Sequence, residues 1–251
     1  MRKTRFIAAP NLPSREVASV IVSDAVPQLT QALYARGIEI FHPQKSKVLQ
    51  DATALHADML CLHFGGNSIA LEEGQGTLVK KLTDIGAAVT YIEKLEAEYP
   101  HDCRLNALIL GNTIYRNICS AGKTQEFADK QGYKAVNVNQ GYSRCSTCIV
   151  SEKAIITADT TIQLAAIAEG IDVLLIPQGE IALDGYSYGF IGGAAAKLST
   201  TELAFTGKVS DMSCYGAIRS FCLSHGVTIT ELTQLPLFDI GGIVQLTEII
   251  Q

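Results

Sequence analysis

A chain of 251 residues, 47% apolar and 18% charged, can bury about 70–75% of its unfolded surface, and its composition excludes long disordered tracts. A net charge of −5 leaves no basic footprint for nucleic acid. No apolar run reaches the roughly 18 residues of a membrane span, and the seven cysteines, odd in number and scattered, fit reduced thiols in a cytoplasmic protein better than a disulfide frame.

The chain starts basic, with Arg2, Lys3 and Arg5, but the apolar run behind them ends at Pro10, too short for a signal-peptide core. One pattern then recurs five times. In the first unit, residues 15–45, Val20-Ile-Val-Ser-Asp24 reads as a strand, followed by a helix and by Gly37-Ile-Glu-Ile-Phe. In the second, 56–94, a hairpin joins 60–64 to 68–71 across Gly65-Gly66-Asn67, before a helix and Gly86-Ala-Ala-Val-Thr-Tyr-Ile. The third, 103–140, pairs 107–110 with 113–115 across Gly111-Asn112 and ends on Gly132-Tyr-Lys-Ala-Val-Asn-Val. The fourth, 144–178, pairs 148–150 with 154–157 and ends on Gly170-Ile-Asp-Val-Leu-Leu-Ile. The fifth, 189–234, pairs 194–198 with 202–205 and ends on Gly226-Val-Thr-Ile-Thr-Glu-Leu. Short Gly, Asn and Ser turns between apolar runs are hairpin chemistry. Each glycine before a β-branched run marks a helix end in the left-handed conformation.

The first unit lacks a hairpin partner. The segment 238–246, Phe-Asp-Ile-Gly-Gly-Ile-Val-Gln-Leu, echoes 190–198, Phe-Ile-Gly-Gly-Ala-Ala-Ala-Lys-Leu. A closing strand at 238–246 would supply that partner and remove open edges. The expected fold class is α/β, with residues 1–251 as a single domain. It would be a five-bladed β/α propeller of ββαβ repeats closed by the C-terminal strand.

This organisation resembles the pentein fold of the guanidino-group-modifying superfamily. That superfamily includes arginine and agmatine deiminases, dimethylarginine hydrolases, amidinotransferases and a non-enzymatic ribosome anti-association factor. Segments such as Gly141-Tyr-Ser-Arg-Cys-Ser-Thr-Cys148 and Gly189-Phe-Ile-Gly-Gly193 are similar to those of a bacterial family of unknown function with this fold. The resemblance implies a terminal Gly-Gly-x-His-Cys-x-Thr segment in members that do chemistry. There the Cys attacks the guanidinium carbon, a His acts as acid and base, and carboxylates hold the cation. Here the segment reads Gly241-Gly-Ile-Val-Gln-Leu-Thr-Glu248. Val244 and Gln245 stand where the family has its His and Cys, so the covalent mechanism is missing from its usual place.

Other motifs have bland readings. Cys145-Ser-Thr-Cys148 lacks a second ligand pair for zinc and enters a strand rather than a helix, so neither metal nor redox chemistry is expected of it. Cys145 itself, at a strand entrance, is the candidate for a displaced nucleophile, with His56 as its base. Gly185-Tyr-Ser-Tyr-Gly189 has GxSxG spacing, but a strand rather than a helix follows. Gly74-Gln-Gly76 before a helix is a weak phosphate signal. Asp24 and Asp159, at matching strand ends, read as helix caps. The polar residues at the unit entrances, Asp58, Asn106, Arg144, Asp184 and Asp239, together with Gln245, are the candidate ligand-binding set.

The leading expectation is a small polar ligand, guanidino or amino-acid-like, held in a central channel without catalysis. One alternative is a hydrolase or amidinotransferase whose catalytic residues are displaced to Cys145 and His56. A further alternative is a protein-binding scaffold. No cofactor, no metal, no membrane and no nucleic-acid partner is expected, and homo-oligomerisation is left open.

Overall fold

The computed structural model describes residues 3–250, and of residues 90–92 the backbone alone. In chain order the elements are β1 (Thr4–Phe6), β2 (Val17–Ile21), α1 (Pro27–Ala35) and β3 (Glu39–Phe41). They continue with α2 (Ala57–Leu60), β4 (Cys61–Gly65), β5 (Ser68–Glu72), α3 (Gly76–Asp84) and β6 (Ala88–Glu93). Next come β7 (Leu108–Leu110), β8 (Thr113–Arg116), α4 (Lys123–Lys130) and β9 (Lys134–Asn137). The fourth group is β10 (Thr147–Ser151), β11 (Ala154–Thr157), α5 (Thr160–Ala168) and β12 (Asp172–Leu175). The last is β13 (Ala195–Lys197), β14 (Glu202–Phe205), α6 (Tyr215–Ser224), β15 (Thr228–Glu231) and β16 (Val244–Ile249).

The strands form five small sheets in a mixed α/β fold. In four of them a tight hairpin joins the first strand antiparallel to the second, and the second runs parallel to a third across a helix. A parallel pair needs such a crossover. The glycines that end α1, α3, α4, α5 and α6 have φ of 73°, 91°, 78°, 76° and 70°, a conformation only glycine adopts at low cost. Each main helix turns one face inward. α1 buries Leu29 and Leu33, α3 Leu78 and Leu82, α5 Ile162 and Ala166, α6 Ile218 and Cys222, pairs four residues apart and therefore on one stripe.

The first sheet has the order β1-β16-β2-β3. β16 pairs antiparallel with β2, Val244 opposite Ile21 and Gln245 opposite Val20, so the chain end does supply the first unit's missing partner. Its other edge takes β1, Thr4 opposite Ile249, a strand the basic N-terminal segment gave no sign of. β2 also begins and ends three residues earlier than the run 20–24 indicates.

The core lies between the sheets. Ile21 and Leu246 of the first pack with Ile69 and Leu71 of the second. Phe64 meets Ile109 and Ile114 of the third, whose Leu108 and Tyr115 meet Ile149 and Ile155 of the fourth. Val150 and Ile156 meet Leu203 and Phe205 of the fifth, and Ala196 and Ala204 return to Val20 of the first. No helix among the described residues is long and apolar enough to cross a membrane.

Candidate active site

The turns that lead into β16, β4, β7, β10 and β13 come together and are joined by hydrogen bonds. Asp58 N donates to Gly241 O at 2.9 Å, Gly242 N to Gly193 O at 2.9 Å, and Gly193 N to Cys145 O at 3.0 Å. Arg144 N and Cys145 N both donate to Asn106 Oδ1, at 3.0 and 3.1 Å, and Asn106 Nδ2 donates to Asp58 O at 3.2 Å. These bonds run from unit to unit and return to their start. The approach is close enough to require glycine: a side chain at Gly193 would overlap the Asp239 carboxylate, and one at Gly241, with φ 75°, would overlap His56. That is the physical reason for the repeated Ile-Gly-Gly.

The turns carry a cluster of ionisable groups. The Cys145 thiol donates to Asp58 Oδ2 at 2.9 Å and accepts from Asn106 Nδ2 at 2.9 Å. Asp58 is buried, and its Oδ1 has no hydrogen-bond partner. His56 Nδ1 lies 3.9 Å from Asp239 Oδ1. The Asp239 carboxylate accepts from Gly241 N at 2.8 Å and Phe190 N at 2.9 Å. Burial, with the Asp58 and Asp239 charges adding to it, raises the Cys145 thiol well above its ordinary value. Burial is also the main cause that lifts Asp239 to about 6, with Asp58 adding to it and His56 opposing. Both effects follow from taking a charge out of water beside like charges.

Cys145, His56 and Asp239 face a cavity of about 250 Å³. Its walls are largely apolar and aromatic, formed by Met59, Tyr142, Leu183, Tyr186, Tyr188 and Phe190. Phe190 stacks on Tyr142 at 6.2 Å and meets Tyr188 edge-on at 6.3 Å. Among the described residues no group of three or more His, Cys, Asp and Glu is arranged to hold a metal ion.

The model of a family of unknown function, DUF6873, matches residues 20–244. The chain belongs to this family. No curated protein matches the DUF6873 chain. Among solved structures, it is similar to an inosamine-phosphate amidinotransferase from Streptomyces griseus, with 9% identity, 96% of each chain covered and a TM-score of 0.61. It is also similar to SxtG, an amidinotransferase from Microseira wollei, with 10% identity, 90% of this chain and 91% of that one covered, and a TM-score of 0.58. An agmatine deiminase from C. jejuni aligns at 8% identity over 98% and 97% of the chains, with a TM-score of 0.55. At such identities the shared property is the fold, and it is the pentein fold that the sequence resembles.

The DUF6873 chain distributes the remaining candidates differently. Arg144 is buried, but its guanidinium donates to Asn11 Oδ1 at 3.1 Å, Thr147 O at 3.3 Å and Gly192 O at 3.2 Å, so it fastens turns rather than facing the cavity. Asp184 is exposed and lines a neighbouring groove with Asp51 and Pro236. Gln245 is buried in β16, where its Nε2 donates to Lys197 O at 2.9 Å; it does not line the cavity. Cys148 is buried in the apolar cluster between the fourth and fifth sheets. Asp159 caps α5, accepting from Thr161 N and Ile162 N at 2.8 and 2.9 Å. Asp24 caps nothing: α1 starts from Val26 without a side-chain cap and has proline in its first turn. The N-terminus of α3 is filled by Gln44, whose Oε1 accepts from Thr77 N at 2.6 Å, which leaves Gly74-Gln-Gly76 no phosphate role. Tyr186, Ser187 and Tyr188, inside the GxSxG spacing, form cavity wall with no helix behind them. That aromatic wall was missed by sequence reasoning. Its only trace is tyrosine beside glycine and serine at 141–143 and 185–189.

Proposed function

We propose that the five units close into a propeller, sealed by β16, and that the cavity at its hub binds a small guanidinium compound whose central carbon is attacked by Cys145. The unit-to-unit hydrogen bonds and the clusters that run from the first sheet round to the fifth and back support the closure. One observation carries the chemistry: a thiol bonded to a carboxylate at 2.9 Å stands at the wall of a cavity that His56 and Asp239 also line. Proteins of like fold act on guanidino compounds, as the names amidinotransferase and agmatine deiminase state.

The empty site keeps the thiol protonated, because a thiolate would sit beside two carboxylates. A bound cation offsets that repulsion. Sγ then bonds to the guanidinium carbon while Asp58 takes the thiol proton. His56, beside Asp239, passes a proton to the nitrogen that departs as amine. In the second step water, or an acceptor amine, attacks the S-bound amidinium carbon, and His56 takes a proton from it. The C–S bond breaks and Sγ recovers its proton from Asp58; in hydrolysis the urea product releases its remaining proton to solvent, and in amidino transfer the product leaves as a guanidinium cation. Water gives hydrolysis; an amine gives amidino transfer. Binding without turnover is the second reading, favoured by the raised thiol in the empty site.

Chloroacetamidine, a cationic electrophile, separates these readings. Mass spectrometry should find Cys145 labelled faster by chloroacetamidine than by neutral chloroacetamide, with the exposed Cys119 as the reference thiol, and no such preference at any site in Cys145→Ser. Equal rates for the two reagents at Cys145, or a Cys145 that labels no faster than Cys119 with the cationic reagent, sinks the nucleophile assignment.

A further inference from the structure

The charge at the cavity wall is set by carboxylates rather than by basic side chains. Its ionisable lining is His56, Cys145 and Asp239, and among the described residues no lysine or arginine reaches it. Arg144, the nearest candidate in sequence, directs its Nε to Asn11 and its Nη1 to two carbonyls, and it is not among the residues that line the cavity. The three tyrosine hydroxyls of the wall are also committed, each donating away from a ligand. Tyr142 donates to Asp102 Oδ2 at 2.5 Å, Tyr186 to Gln50 Oε1 at 2.7 Å and Tyr188 to Gln178 Oε1 at 3.0 Å. The rings themselves remain, with Phe190, as faces on which a carbon skeleton or a cation can lie.

Resting on the guanidinium reading above, we infer that the ligand is a guanidine without a carboxylate, bearing an apolar or aromatic body, and that amino acids such as arginine are excluded. A ligand carboxylate would be desolvated among tyrosine rings, within the field of Asp239 and of Asp58 behind Cys145, with no lysine or arginine among the described residues to pair it and with His56 already beside Asp239. A flat apolar body instead buries its carbon surface against the wall. At about 250 Å³ the cavity is smaller than the roughly 300–1,000 Å³ of drug-sized sites, so one ring or a short chain fills it.

Calorimetric titration of the full chain with phenethylguanidine, agmatine and arginine tests this. Phenethylguanidine should bind tightest and arginine at least about tenfold more weakly than agmatine. Asp239→Asn should weaken both carboxylate-free ligands about tenfold or more. Ser187→Arg, at an exposed wall position, should narrow the gap between arginine and agmatine by placing a cation at the mouth. If arginine binds the wild-type chain as tightly as agmatine, the carboxylate-free assignment falls while the cation site stands. If no guanidine binds, or Asp239→Asn changes nothing, the cation site falls and this inference with it.

Discussion

Asp239 is the residue whose protonation the fold and the ligand contest. Its carboxyl is lifted to about 6 from an ordinary 3.8, chiefly by burial. The folded state therefore holds this proton at pH values where the unfolded chain has released it. Stability from this group is full below about pH 4 and is lost as pH rises to about 6, a difference on the order of 2–3 kcal/mol. Denaturant titrations at pH 4.5 and 6.5 should show that fall in the wild type and a smaller one in Asp239→Asn. Equal falls in both would mean that Asp239 is not the group concerned. Cation binding has the opposite sign, since it needs the ionised carboxylate. Guanidine affinity should rise up to about pH 6 and level off above it. An affinity flat from pH 5 to 7 would place the ligand elsewhere.

At the scale of elements, what was legible in the sequence is what local chemistry decides. Gly37, Gly86, Gly132, Gly170 and Gly226 all end helices in the left-handed conformation, because the motif is written in one residue and its neighbours. The hairpins at 61–72 and 147–157 were legible for the same reason. What stayed hidden depends on distant partners. Nothing in Thr4–Phe6 says that it will lie along β16, and nothing in Tyr186 says that it will line the same cavity as Cys145. Cys145, His56 and Asp239 could be picked out because each stands at a unit entrance. Arg144, picked by the same rule, turned out to bond Thr147 and Gly192. The entrance fixes where a Cα lies, not where a long side chain goes. Asp24 and Asp159 show how far a local match can be trusted. Both end a Val/Ile-rich run before a helix, yet only Asp159 receives the N–H groups of the first turn. Asp159→Ala should cost about 1 kcal/mol and Asp24→Ala a few tenths at most, both read by denaturant midpoints. Equal costs would contradict the capping assignment.

For the whole molecule the decisive element is the last one. β16 sits between β1 and β2 in the first sheet, so its loss strips ladder partners from both. It also carries off Gly241 and Gly242, and with them the hydrogen bonds to Asp58 and Gly193 that link the first unit to its two neighbours. Val244 and Leu246 leave the cluster shared with the second sheet, and Ile240 and Ile243 leave the one shared with the fifth. An open chain of units would lose only an end by such a cut, and the remaining sheets would still unfold together. A closed arrangement loses two interfaces at once and is left with exposed strand edges, which invite aggregation. Deleting residues 238–251 should therefore abolish the single cooperative transition and raise dye-accessible apolar surface. A truncated chain that melts in one step within a few degrees of the full-length protein would show that the first and fifth units do not depend on each other, and the closed propeller would have to be given up.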